Sequence, residues 1–179
     1  MKHVGLLALI FVLVCCGGDT QRADLVFIQS AEPESIDPAL ISDQVSMRIS
    51  TSLFEGLCRT NVDGRAEPGM AERWEAAPDG RSYTFHLRAG VRWSNGDPVT
   101  AQDFVDSWKR TLTPATAADY ASQLYVIRNA RAFNEGGLTD FGQVGVRALD
   151  PRTLHVELEN PTPCFIDLCA FVTLAPVHM

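Results

Sequence analysis

Apolar and polar positions change rhythm several times along the chain, and each rhythm names an element. Leu25-Val26-Phe27-Ile28 is an unbroken apolar run, the pattern of a strand covered on both faces. The stretch from Glu32 to Pro38 stops it, because Pro33 and Pro38 have no amide hydrogen to donate. Val45, Ile49, Leu53 and Leu57 then recur at every fourth position. That spacing predicts an amphipathic helix over Ser42 to Leu57, ending near Gly56. Tyr83, Phe85 and Leu87 alternate with Thr84, His86 and Arg88, which predicts a half-buried strand, and Leu154, Val156 and Leu158 predict another. Turns are marked by Val62-Asp63-Gly64-Arg65, Pro68-Gly69, Pro78-Asp79-Gly80 and Asn95-Gly96-Asp97-Pro98.

Two more helices follow from local chemistry. Thr100 and Asp103 are spaced as a capping box, and Phe104, Trp108 and Leu112 give the helix behind it one apolar stripe. A second helix is predicted from Ala117 to Ala132. The elements together predict a mixed α/β unit with an incomplete sheet. The chain closes on a strongly apolar run, Phe165 to Val177, with little after it to bury it against, and on this pattern it reads as cut short.

The first residues alter the picture of where the domain begins. Lys2 and His3 precede an apolar run from Val4 to Val14 that is long enough for about 16 Å of helix, roughly half a bilayer core. That length fits a secretory signal peptide and not a membrane span. Leu13-Val14-Cys15-Cys16-Gly17 resembles a bacterial lipobox, with Cys16 as the acylated cysteine because the small Cys15 precedes it. Residues 1–16 are therefore expected to be a lipoprotein signal peptide with its lipobox cysteine, 17–22 a tether, and 23–179 the folded domain. A plain secretory signal or a buried N-terminal strand are the other readings. Removing Cys15 and acylating Cys16 leaves Cys58, Cys164 and Cys169, an odd number that cannot all pair internally, expected to be small buried thiols rather than a disulfide or a metal site.

Charge narrows the partners. The formal net charge is -7, which disfavours nucleic acid. His3, His86, His155 and His178 are scattered, with His86 and His155 expected as plain surface residues, and no nucleophile elbow or His-Glu-x-x-His occurs. No catalytic residue, metal or cofactor is expected. Trp74, Trp93 and Trp108 are expected to pack lobes and core.

The order of motifs then carries a family resemblance. Ile36-Asp37-Pro38, Leu53-Phe54-Glu55-Gly56-Leu57, Pro68-Gly69-Met70-Ala71-Glu72-Arg73-Trp74 and the long stretch from Tyr83 to Val105 follow one another. This series resembles the family 5 extracellular solute-binding proteins, the oligopeptide- and dipeptide-binding subunits of ABC importers, from about Leu25 to Val177. Asp119-Tyr120-Ala121-Ser122 and Gly145 to Asp150 are most similar to the oligopeptide binders. The resemblance implies the N-terminal portion of a two-lobed, type II, clamp-like fold with mixed sheets, here incomplete. It implies capture of peptides by main-chain pairing, delivery to the permease subunits of an ABC importer, and a place in the periplasm or at the cell surface, anchored to the membrane through Cys16. It implies ligand contacts at Glu32, Pro33, Glu34 and Tyr120. Against these stand a solvated acid at Glu32 and a packed helix residue at Tyr120. The family also includes binders of nickel complexes, haem, sugars and signalling peptides, and a non-functional truncated fragment is a further reading.

Overall fold

A computed structural model describes Val26 and residues 28–179. The signal peptide, Cys16, the tether, Leu25 and Phe27 lie outside the described residues. Helix α1 spans Gln44–Leu53, and Asp43 caps it by accepting from the amides of Val45 and Ser46. Strands β1 (Cys58–Thr60) and β2 (Ala66–Pro68) form a two-stranded antiparallel ribbon, closed by the turn around Gly64. Strands β3 (Ala71–Ala76) and β4 (Ser82–Leu87) then open the main sheet. Helix α2 (Ala101–Leu112) and the short α3 (Ala130–Asn134) lead to β5 (Val146–Asp150), β6 (Thr153–Glu157) and the one-turn α4 (Phe165–Leu168).

The main sheet has the order β3-β4-β6-β5, and every pairing in it is antiparallel. Alternation sorts its faces. Tyr83, Phe85 and Leu87 on β4 and Leu154 and Val156 on β6 turn inward, and Phe104, Trp108 and Leu112 of α2 belong to the same buried cluster. The capping box forms as expected, with Asp103 Oδ2 accepting from both the amide and the hydroxyl of Thr100. The architecture is mixed α/β, as the pattern predicts.

Four expectations need correction. Val26 and Ile28 are in no strand and are 74% and 91% exposed. A strand covered on both faces needs neighbours on either side, and no described strand runs beside this one. In α1 the stripe is inverted: Ser46 and Ser50 are the fully buried residues, Val45 and Ile49 are half-buried, and Leu53 is 62% exposed. The helix also ends at Leu53, short of Gly56, whose Cβ position would lie 2.6 Å from the Cys169 carbonyl oxygen.

The helix expected over Ala117–Ala132 is instead a 3₁₀ segment, Ala121–Val126, and then α3, separated by Asn129 at φ 62°. Tertiary pairing breaks it: Ile127 bridges Leu158, and the Arg128 amide donates to the Glu157 carbonyl at 2.9 Å. The apolar run after Phe165 does find a core. Phe165, Cys169 and Leu174 are buried with the sheet, and the Trp108 indole donates to the Leu174 carbonyl at 2.9 Å.

Smaller departures concern single residues. Cys58 and Cys169 are buried thiols as expected, but Cys164 is exposed. His86 and His155 are half-buried on the outer sheet face rather than plain surface groups. His155 Nδ1 lies 3.0 Å from Thr84 Oγ1, and burial pulls its pKa down. Trp108 is core, while Trp74 and Trp93 pack half-buried at the edge of the cluster.

Candidate functional site

The site is built on a stretch of chain that makes no regular structure of its own. Residues 29–37 run past α1 as irregular chain with bends at Ser30, Ala31 and Glu34, and their backbone groups need partners that a helix or sheet would otherwise supply. The two buried serines supply them. Ser46 Oγ accepts from the amides of Glu34 and Ser35 at 3.0 and 3.3 Å, and Ser50 Oγ donates to the Ile36 carbonyl at 3.3 Å. This is why α1 turns its serines inward: the prolyl segment offers polar edges, and hydroxyls answer them.

A second clamp holds the end of the segment. Asp37 meets Arg110, near the end of α2, through two parallel hydrogen bonds, Nη1 to Oδ1 at 2.9 Å and Nη2 to Oδ2. Asp37 Oδ1 also accepts from the Ala39 amide at 3.0 Å. The Arg110 hydrogen bonds hold the Asp37 carboxyl below its ordinary value of 3.8, outweighing partial burial, which acts the other way. Asp37 pairs in the folded state with a pKa below that of the unfolded chain, so its stabilisation is complete above pH 3.8 and is lost as pH falls through the lower folded value. Acid titration of stability below pH 4 is expected to show this loss, and Arg110→Ala is expected to flatten it. At neutral pH the same variant strands a half-buried carboxylate and is expected to cost about 1–3 kcal/mol in urea denaturation.

Beside this pinned segment lies an open hollow of about 520 Å³, lined by Gln29, Ser30, Ala31, Glu32, Pro33 and Ile49. Ala31, Glu32 and Pro33 make no backbone hydrogen bond to another described residue. Gln29 Oε1 is buried and has no partner among them. The hollow therefore presents main-chain groups and one amide oxygen that bond no other described residue, together with the apolar side of Ile49. An extended ligand backbone can pair with such an edge.

Of the expected contacts, Glu32 and Pro33 line this hollow. Glu34 stands at its margin, with an exposed side chain and its amide committed to Ser46. Tyr120 is not among the lining residues; it is half-buried, its ring edge-on to Phe171 at 5.3 Å. Phe171 directly precedes the turn Val172–Leu174, which packs on α1. Sequence reasoning missed Gln29, Ser46, Ser50, Asp37 and Arg110 as parts of the site. The four-residue spacing of Ser46 and Ser50 on one helical face was the available signal.

A larger hollow of about 650 Å³ lies elsewhere, around Tyr125, Asn129 and Glu159. Some of its polar groups are already engaged: the Asn129 amide donates to Glu159 at 3.2 Å, and the Tyr125 hydroxyl donates to Asn134, outside the hollow, at 2.6 Å. None of the expected contacts reaches it.

The model of the family described as bacterial extracellular solute-binding proteins, family 5, middle part, matches residues 65–178. The chain belongs to this family. It is 50% identical over 149 residues to the oligopeptide-binding protein OppA of Bacillus subtilis, covering 82% of this chain and 27% of that protein. It is 42% identical over 149 residues to a probable deoxycholate-binding periplasmic protein of Escherichia coli, covering 82% of this chain and 28% of the other. Among solved structures, Haemophilus influenzae OppA in complex with the peptide RPPGFSPFR aligns with TM-score 0.79 and 41% identity over 83% of this chain and 29% of that one. Listeria monocytogenes OppA bound to peptide aligns with TM-score 0.81 and 36% identity over 84% and 30%. The described α/β unit thus has the fold of part of a type II periplasmic binding protein. The chain spans less than a third of the length of the relatives it matches.

Proposed function

We propose that this family 5 chain forms one wall of a clamp that captures peptides and passes them to the permease subunits of an ABC importer. The observation that carries the reading is the stretch from Ala31 to Pro33, anchored next door at residues 34–37, whose main-chain groups bond no other described residue beside a hollow. Main-chain pairing supplies affinity without reading side chains, as a scavenger of varied peptides requires. Pro33 offers a carbonyl and no donor, so the pairing skips one bond at that position. Glu32, Pro33 and Glu34 flank the ligand from this edge. Tyr120, with a hydroxyl that bonds no other described residue, reaches it from the Phe171 side. The protein acts as a binder and not as an enzyme. Enclosure needs a second lobe to close over the ligand, and hinge closure is the signal the permease reads.

Relatives that bind peptide support this reading: the Haemophilus and Listeria structures hold one. The deoxycholate-binding relative supports a second reading, in which the apolar side of Ile49 serves a steroid acid instead. Photo-crosslinkable tri- and tetrapeptides at millimolar concentration separate the two. Labelling at residues 29–34 or Ile49, competed by unlabelled peptides of unrelated sequence, is expected; competition by deoxycholate and not by peptides would overturn the peptide reading. With only one wall present, calorimetry on the 179-residue chain is expected to register no micromolar peptide affinity.

The address is proposed on the sequence of residues 1–22. Acylation of Cys16 holds the protein on the membrane at the periplasmic or outer surface, with 17–22 as a tether. Fractionated cells are expected to show Cys16→Ser in the soluble fraction and the parent protein with membranes. A variant that stays with the membranes would remove the lipid anchor from the reading.

A further inference from the structure

The described cysteines are not equivalent. Cys58 opens β1 and is 1% exposed, Cys169 follows α4 and is 0% exposed, and both belong to one buried cluster. The Cys58 amide donates to the Cys169 carbonyl at 3.3 Å. A single backbone bond of this kind leaves the two Cα atoms roughly 5–7 Å apart, overlapping the roughly 4.4–6.8 Å that a disulfide spans, and the thiols are near enough for Cys58 to raise the pKa of Cys169 beyond the effect of burial. Cys164 is the poor partner for Cys169. The two stand at opposite ends of α4, about 7.5 Å apart along the helix axis at its rise per residue, and Cys164 faces solvent.

We propose that Cys58 and Cys169 are a disulfide pair that closes while the chain folds in an oxidising compartment, tying the β1 ribbon to the C-terminal apolar segment. The compartment follows from the export proposed above; the pairing itself rests on the geometry. The chemistry is thiol–disulfide exchange with a protein or glutathione disulfide. One cysteine thiolate attacks a sulfur of the oxidant, giving a mixed disulfide and releasing a thiolate. The second cysteine thiolate then attacks the mixed disulfide, forming the internal S–S bond and releasing the reduced carrier. Two S–H bonds are lost, and two electrons and two protons leave with the oxidant, which becomes dithiol.

Burial sets the timing. It pushes the Cys58 thiol up to about 12, with Asp167 adding to the effect, and raises Cys169 well above the ordinary thiol value. At pH 7 a thiol near 12 is thiolate in roughly one molecule in 100,000. In the closed core the exchange is therefore slow, and the bond forms before the core closes. It then crosslinks residues far apart in sequence, where closing a long loop restricts the unfolded chain most.

The test uses the full 179-residue chain, reduced, unfolded and refolded in a glutathione redox buffer. After alkylation and trypsin, peptide 49–59 is expected to be joined to peptide 153–179, lighter by two hydrogens. The link persists in Cys164→Ala and disappears in Cys58→Ala. Oxidant added to the native reduced chain acts much more slowly than oxidant present during refolding, and reduction lowers Tm by about 5–15 °C. Free Cys58 and Cys169 after oxidative refolding, or a link made through Cys164, would overturn the pair. A linked pair in the tube with free thiols in cells upholds the pairing and counts against export.

Discussion

Trp108→Ala is expected to lower the melting temperature by about 10–20 °C. Trp108 is fully buried in α2, edge-on to Phe104 at a ring separation of 6.5 Å, and its indole nitrogen donates to the Leu174 carbonyl. Removing a buried tryptophan leaves a large void that the surroundings fill only in part, at about 3–5 kcal/mol. The Leu174 carbonyl also loses its donor, adding roughly 1 kcal/mol or more. Against a total stability on the order of 5–15 kcal/mol, the folded-to-unfolded ratio falls by about a thousandfold or more. Circular dichroism against temperature reads the effect. Trp108→Phe separates its two causes, because it keeps most of the burial and loses only the indole donor. If Trp108→Ala melts within a few degrees of the parent, the described core is wrong.

The consequence reaches the proposed cleft through one helix. Trp108 seats α2, α2 carries Arg110, and Arg110 holds Asp37 at the end of the irregular segment. A variant that loosens α2 therefore loosens the edge offered to ligand before it touches any lining residue. Arg110→Ala tests the outer half of this chain of contacts with a smaller loss of stability than Trp108→Ala.

What the residue pattern shows, and what it hides, follows from where each element finds its partners. Strand β4 and helix α2 are legible because each buries one face in the shared core, so alternation in Tyr83-Phe85-Leu87 and the stripe Phe104-Trp108-Leu112 report local geometry directly. The stretch Ala117–Ala132 was misread because its hydrogen bonds are settled by a distant strand end, Glu157 and Leu158, which no periodicity within the segment encodes. Helix α1 was misread for a related reason. Its apolar residues look like the buried face, but the neighbour along its other side is a polar, proline-containing segment, and that neighbour selects the serines. The candidate site inherits this difficulty. Glu32 and Pro33 came from resemblance alone, whereas the Ser46, Ser50 and Arg110 contacts that fix their backbone exist only once α1 and α2 are placed.

Gly145→Ala is expected to cost about 2–4 kcal/mol although it adds a single methyl group. At this glycine the constraint is space. A Cβ there would lie 2.4 Å from the Glu157 carbonyl oxygen and 3.0 Å from the Arg128 Cβ, and carbonyl oxygens of a paired strand cannot step aside. Three segments cross at the point: Gly145 donates to Arg128 at 2.9 Å, Glu157 donates to Gly145 at 2.6 Å, and Arg128 donates to Glu157 at 2.9 Å. This triangle fastens the broken helical stretch to the end of β6 and the start of β5, so pushing Glu157 away loosens all three at once. Gly136→Ala is the control. Gly136 has φ 78° and open space around its Cβ position, so only backbone strain opposes the change, at roughly 1–2 kcal/mol. Urea midpoints are expected to fall further for Gly145→Ala than for Gly136→Ala. The reverse order would mean that the crossing of residues 128, 145 and 157 is looser than described, and that the edge of the main sheet tolerates a displaced β5.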